Sequence, residues 1–211
     1  MIKLRLKEVM DNNQDILSLF QLAYGLTEQW YTPLKRHEKV LIPIKEEEYS
    51  LKCDYVARDT IEIYFRIEDY KASLLKDKRK GPKDNDLTIL SGSCIYQLEF
   101  KNTKKVGHSS ANAQLESGRK WLEHILWVCN TEKCLTSRRV YNIAVGIKDN
   151  KRSSLSRTNN LRIADIDNRC NHITTIWHRG NPKEHLQLDR LIKRVNNEYR
   201  QYYDGYIPAK E

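Results

Sequence analysis

Apolar residues follow two kinds of spacing along this chain, and the spacing predicts where it forms helices and where strands. From Asp11 to Tyr24, residues Ile16, Leu17, Phe20 and Ala23 fall at steps that build one face of a helix, which Gly25 can stop. A polar, aromatic connection containing Pro33 follows. Tyr49 to Ala57 and Thr60 to Ile67 then read as strands, the second alternating Ile61, Ile63 and Phe65 with Glu62, Tyr64 and Arg66. These two strands are expected to pair across a turn at Arg58-Asp59.

Lys71 to Asp86 is densely charged, contains Gly81-Pro82 and reads as a loop. Asp86 to Leu90 and Cys94 to Phe100 are short apolar runs on either side of Ser91-Gly92-Ser93, a hairpin with a three-residue connection. Ser109 or Ser110 can cap a helix whose Leu115, Gly118, Leu122, Ile125 and Cys129 share a face. Val140 to Ile147 and Ile173 to Trp177 have strand content, with a polar stretch from Lys148 to Arg162 between them. A last helix runs from about Pro182 to Tyr203, apolar at Leu188, Leu191, Ile192, Val195, Tyr199 and Tyr202. No repeat or linker marks a second domain. One α/β domain over residues 1–211, with a single mixed β-sheet flanked by helices, is the economical architecture.

Composition narrows the class of protein. A chain of 211 residues, 39% hydrophobic and 31% charged, is long enough to bury roughly 70% of its unfolded surface without a disulfide or metal staple. Its five cysteines, Cys53, Cys94, Cys129, Cys134 and Cys170, form no CxxC pair, which suggests neither a disulfide framework nor a zinc ribbon and points to a reducing, cytoplasmic setting. The opening residues alternate apolar with basic, unlike a secretion signal, and no apolar stretch approaches a membrane span. A formal charge of +9 makes a polyanion the natural partner, because clustered Lys and Arg displace counterions from phosphates.

The candidate chemistry lies in the strand Ile95-Tyr96-Gln97-Leu98-Glu99-Phe100-Lys101. Alternation sends Tyr96, Leu98 and Phe100 to one face and Gln97, Glu99 and Lys101 to the other. A carboxylate beside an ammonium suits phosphodiester hydrolysis, which needs hard oxygen ligands for Mg²⁺ and a cation near the attacking water. Mg²⁺ requires more than one acid, and Asp86 begins the preceding strand. With a three-residue connection Asp86 falls opposite Leu98, one position from Glu99, so a bulge or a shifted register is needed. The plain alternative is that Gln97, Glu99 and Lys101 form the wet face of an amphipathic strand.

Asp86, then Glu99-Phe100-Lys101, then a helix carrying Gln114-Leu115, resembles the PD-(D/E)XK nuclease superfamily, the restriction-endonuclease-like fold, over roughly Asp84 to Ile147. The resemblance implies a metal-dependent nuclease, acting on DNA more than on RNA, in restriction, anti-phage defence or mobile-element biology. Asp86 and Glu99 are then Mg²⁺ ligands, with Mn²⁺ a substitute, and the Phe100 carbonyl is a third oxygen. Lys101 positions the water, and Gln114 faces the scissile phosphate. Asn85 stands where the pattern has proline, which keeps Asp84, Asp54 and Asp69 as rivals for the first acid.

Two basic segments flank the motif, and their Lys78, Arg79 and Lys80, and Lys151, Arg152 and Arg157, are candidate phosphate contacts. A non-catalytic nucleic-acid-binding subunit is the alternative function, and a homodimer or a protein partner is compatible with the sequence. Cys170-Asn171-His172 with His178 is a weaker zinc candidate because its spacing is irregular. His108 reads as a loop histidine, and Trp121, Trp127 and Trp177 as core or interface residues.

Overall fold

The computed structural model describes residues 13–25, 30–45, 50–74, 83–101, 110–131, 133–149, 162–166, 171–178 and 186–204. Helix α1 (Asn13–Tyr24) buries Ile16, Leu17 and Phe20. Ala23 is exposed, and Tyr24 packs against the core in its place. The region expected to be a connection holds two strands, β1 (Tyr31–Lys35) and β2 (Lys39–Lys45), each carrying a proline. Both lie at a sheet edge, where a residue without an N–H is tolerated.

Strands β3 (Ser50–Val56) and β4 (Ile61–Phe65) do not pair with each other, contrary to the expectation from their spacing. They belong to different sheets. The reason lies in Glu62, a polar position of the alternating pattern that is fully buried. Its carboxylate accepts the Arg58 and Asp59 amides at 2.9 and 3.0 Å, the Ser91 hydroxyl at 2.9 Å and the Tyr55 hydroxyl at 2.5 Å. The chain from 57 to 60 thus steps from one layer to the other instead of closing a hairpin. Helix α2 (Ile67–Leu74) then takes the start of the segment expected to be loop. It buries Ile67, Tyr70 and Lys71 at helical spacing among exposed charges.

The remaining elements are β5 (Leu87–Ser91), β6 (Cys94–Lys101), α3 (Ala111–Val128), α4 (Lys133–Ser137), β7 (Arg139–Asp149), β8 (Arg162–Ile166), β9 (Asn171–His178), β10 (Leu186–Gln187) and α5 (Leu188–Asp204). Strand β8 begins at Arg162, the last residue of the polar stretch, and occupies a segment to which the sequence pattern assigns no element. The last helix starts at Leu188 rather than Pro182, because Leu186 and Gln187 pair with Cys53 and Asp54.

Two sheets replace the single one expected. The larger has the order β1-β4-β5-β6-β7-β9-β8 and the smaller β10-β3-β2. In the larger, β1, β4, β5 and β6 run antiparallel in succession, β7 and β9 continue parallel to β6, and β8 is antiparallel to β9. One face carries Leu87, Ile89, Tyr96, Leu98, Phe100, Ile143 and Val145 against Ile42, Ile44, Leu51 and Cys53 of the small sheet and Leu188, Leu191 and Val195 of α5. The opposite face packs Ile63, Phe65, Leu90 and Ile95 against α1, α2 and the second half of α3. Fully burying each such side chain contributes about 1.5–3 kcal/mol, so the sheet is held from both sides. The site lies under the first half of α3.

Candidate active site

The β5–β6 turn determines where the acids fall. Gly92 has φ +48°, a left-handed conformation that glycine adopts without strain. The hairpin closes on two residues, Gly92 and Ser93, with Ser91 opposite Cys94 and Leu87 opposite Leu98. That register, one step away from the three-residue expectation, continues to set Asp86 level with Glu99. Opposed residues in an antiparallel pair have Cβ atoms about 4.5–5.5 Å apart. The Asp86 carboxylate turns toward β6, where its Oδ2 accepts the Phe100 amide at 2.7 Å. A strand residue directs its amide and carbonyl to the same side, so the Phe100 carbonyl also leaves β6 on the side of Asp86.

Glu99 is fully buried, and Lys101, two residues along on the same face, forms an ion pair with it through Nζ and Oε1. The Lys101 side chain retains 21% exposure, so this cation stands at the mouth while the carboxylate lies inside. Opposite Glu99 on β7 is Ala144, which packs with Ala111 and Leu115 of α3. Small side chains leave the acid room beneath the helix. Glu99 is thus not on a wet strand face, because α3 covers the row it belongs to.

Gln114 comes down from α3 and is nearly buried. Its Oε1 accepts the Ser110 hydroxyl at 3.0 Å, and its Nε2 makes a long 3.5 Å contact to the Asp84 carbonyl. Ser110 occupies the N-cap position without a side-chain cap bond, because its hydroxyl holds Gln114; Ser109 lies outside the described residues. The rivals of Asp86 are otherwise engaged. Asp84 is ion-paired with Lys71, both side chains at most 5% exposed; burial raises its carboxyl while Lys71 pulls it back. Asp69 is exposed on α2, 3.0 Å from Arg66, and Asp54 lines a groove of about 570 Å³ with Lys39, Tyr55, Asp189 and Arg190.

Asn85, at the position expected to be proline, is buried and donates to the Leu87 carbonyl at 2.6 Å and to Thr88 Oγ1 at 3.0 Å. Its Oδ1 accepts Gln97 Nε2 at 3.4 Å and lies 1.6 Å from where a Cβ on Gly118 would stand. Gly118 therefore admits the Asn85 amide between helix and sheet. The sequence reading missed Lys71, Asn85 and Gly118, although a glycine inside a strong helical pattern signals a close approach.

No protein-family model, curated protein or solved structure matches this chain. Among the described residues no group of three or more His, Cys, Asp and Glu side chains converges as a metal cluster, and no helix is long and apolar enough to cross a membrane. Lys78, Arg79, Lys80, Lys151, Arg152, Arg157, His108 and Cys170 lie outside the described residues. His172, Trp177 and His178 belong to β9. Trp121 is half-buried with the Lys71 ammonium 5.6 Å from its ring centre, and Trp127 is exposed. Cys53, Cys94 and Cys129 are free thiols. Burial pushes Cys53 up to about 12, with Asp54 and Asp86 adding to the effect, and burial likewise pushes Cys129 up to about 11.

Proposed function

We propose that this chain is a Mg²⁺-dependent nuclease of restriction-endonuclease-like type that hydrolyses phosphodiester bonds, in DNA by preference. The observation that carries the reading is the register of β5 on β6, which brings Asp86 level with Glu99 and the Lys101 ammonium to the same acid. An acid at the head of one strand, Glu-x-Lys on the next and a following helix with a glutamine occur in the order the resemblance implies. The donor set fits the ion. Two carboxylates and the Phe100 carbonyl are hard oxygens, the donor class that Mg²⁺ prefers.

When bound, Mg²⁺ supplies positive charge to the phosphate and lowers the pKa of a coordinated water. Asp86 and Glu99 would hold it, the first kept in place by the Phe100 amide. Lys101 would stand beside the attacking water and offset the charge that builds as the water oxygen bonds to phosphorus, its proton passes to solvent and the bond to the leaving sugar oxygen breaks. Gln114, fixed by Ser110, has an amide donor to offer a phosphate oxygen. The net charge of +9 draws in the polyanion.

A non-catalytic nucleic-acid-binding role is the second reading. It is favoured by the Asp86 bond to Phe100 and the Glu99–Lys101 pair, which also make a closed structural set. Plasmid, single-stranded DNA and RNA, each offered with EDTA, Mg²⁺ or Mn²⁺, separate the two. Cleavage of DNA that requires metal and falls at least roughly a hundredfold in Glu99→Gln, with binding retained, is expected for the nuclease. Binding without metal-dependent cleavage by the wild-type chain establishes the second reading instead.

A further inference from the structure

We infer that the buried Lys71–Asp84 ion pair positions the Asp86 carboxylate, so that Lys71 sets metal affinity at the proposed site without touching metal or substrate. This rests on the nuclease reading. The three consecutive residues Asp84, Asn85 and Asp86 are each anchored to the surrounding fold. The Asp84 side chain is held by Lys71 of α2, and its carbonyl meets Gln114 of α3. Asn85 is wedged against Gly118 of α3 and meets Gln97 of β6. Asp86 takes the backbone amide of Phe100. Two helices and the motif strand therefore converge on the chain that delivers the first acid.

The chemistry of the pair argues for positioning rather than stability. Both side chains are at least 95% buried, and desolvating two charges consumes most or all of their attraction, so apolar replacements of similar volume are often as stable or more so. What an ammonium adds is direction: it holds a carboxylate at one place, whereas an apolar contact lets it slide. Lys71 is itself fixed from a second side, its Nζ lying 5.6 Å from the Trp121 ring centre in a cation–π arrangement. Asp86 is two residues from Asp84, a backbone span of about 7 Å, so a shift at the anchor reaches the acid with little chain to absorb it. Partners of metal-binding groups typically change metal affinity or activity by roughly 10–100-fold when removed.

The test compares the full chain with a Lys71→Met/Asp84→Leu double variant and with Lys71→Arg, following thermal unfolding, Mn²⁺ binding by calorimetry and DNA cleavage against Mg²⁺ concentration. The double variant is expected to melt at or above the wild-type temperature. Its Mn²⁺ dissociation constant and half-saturating Mg²⁺ should rise roughly tenfold or more, with cleavage approaching the wild-type rate at saturating metal. Lys71→Arg, which keeps the charge, should recover most of the affinity. If the double variant does not fold, Asp84→Asn carries the same expectation for metal affinity, because it keeps the shape and removes the charge, while its melting temperature should fall because the Lys71 ammonium is left buried without its partner. Unchanged metal affinity in a folded variant overturns the inference while leaving the nuclease reading intact. A wild-type chain that binds no Mn²⁺ and cuts nothing overturns that reading, and this inference with it.

Discussion

Gly118→Ala tests how the acidic strand end is seated. The added methyl would lie 1.6 Å from Asn85 Oδ1 and 2.7 Å from its Cγ. Asn85 is only 4% exposed, so its amide has no free volume to swing into, and either the amide leaves its place or α3 lifts. Displacing it removes the bonds to the Leu87 carbonyl and Thr88, each a net contribution of about 1 kcal/mol. Crowding adds about 1–3 kcal/mol, and the better helix propensity of alanine returns about 1 kcal/mol. The variant should therefore be less stable by roughly 2–4 kcal/mol. For a chain of this size that is a fall of roughly 4–16 °C in melting midpoint. Urea unfolding of the single and double variants completes the measurement. In an Asn85→Ala background the methyl meets no amide, and Gly118→Ala should become neutral or stabilising. Equal effects of Gly118→Ala in both backgrounds, or a stabilised single variant, would refute this account of the contact.

Lys101→Ala removes the cation paired with Glu99, so cleavage should fall while Mn²⁺ binding, followed by calorimetry, holds or tightens. Tight binding with full activity would remove Lys101 from the chemistry. In native protein at pH 8, Cys53 and Cys129 should resist iodoacetamide, because thiols raised to about 12 and 11 carry almost no thiolate there. Peptide mapping that finds either modified at the rate of a free thiol would contradict their burial. The triple alanine variants of Lys78, Arg79 and Lys80 and of Lys151, Arg152 and Arg157 should weaken DNA binding in a Glu99→Gln background. Each lost phosphate contact should flatten the log affinity against log salt slope by about 0.9, and unchanged slopes would assign these charges to solubility.

The elements legible in the sequence were those whose pattern and burial agree. Leu115, Gly118, Leu122, Ile125 and Cys129 are all buried along or just beyond α3, and the alternation of β6 separates Leu98 from Glu99 as its period requires. The misreadings have specific causes. Pro33 disguised β1, which tolerates it as an edge strand, as β2 tolerates Pro43. Glu62 looked like an outward position although four donors satisfy it inside the protein. Lys71 looked like one more charge of a loop because composition cannot reveal that Asp84, thirteen residues later, meets it in the interior. The hairpin register turned on one residue, since Ser91 belongs to the strand rather than the turn. Long-range pairing hid Lys71 and part of the Glu62 shell, whereas the hairpin register turned on a local choice of turn residues.

The small sheet also bears on the order of events as the chain is made. Its β10 joins β3 through Leu186 and Cys53, and α5 lays Leu188, Leu191 and Val195 against the same layer as Phe100 and Leu98. Asn196 and Tyr96 add a hydrogen bond of 2.8 Å across that boundary. Residues near 53 and 96 must therefore wait for a segment synthesised more than ninety residues later than Tyr96, and contacts of such separation form slowly because the intervening loop must close first. On a ribosome the strand bearing Glu99 emerges long before α5, which completes the layer packed behind it.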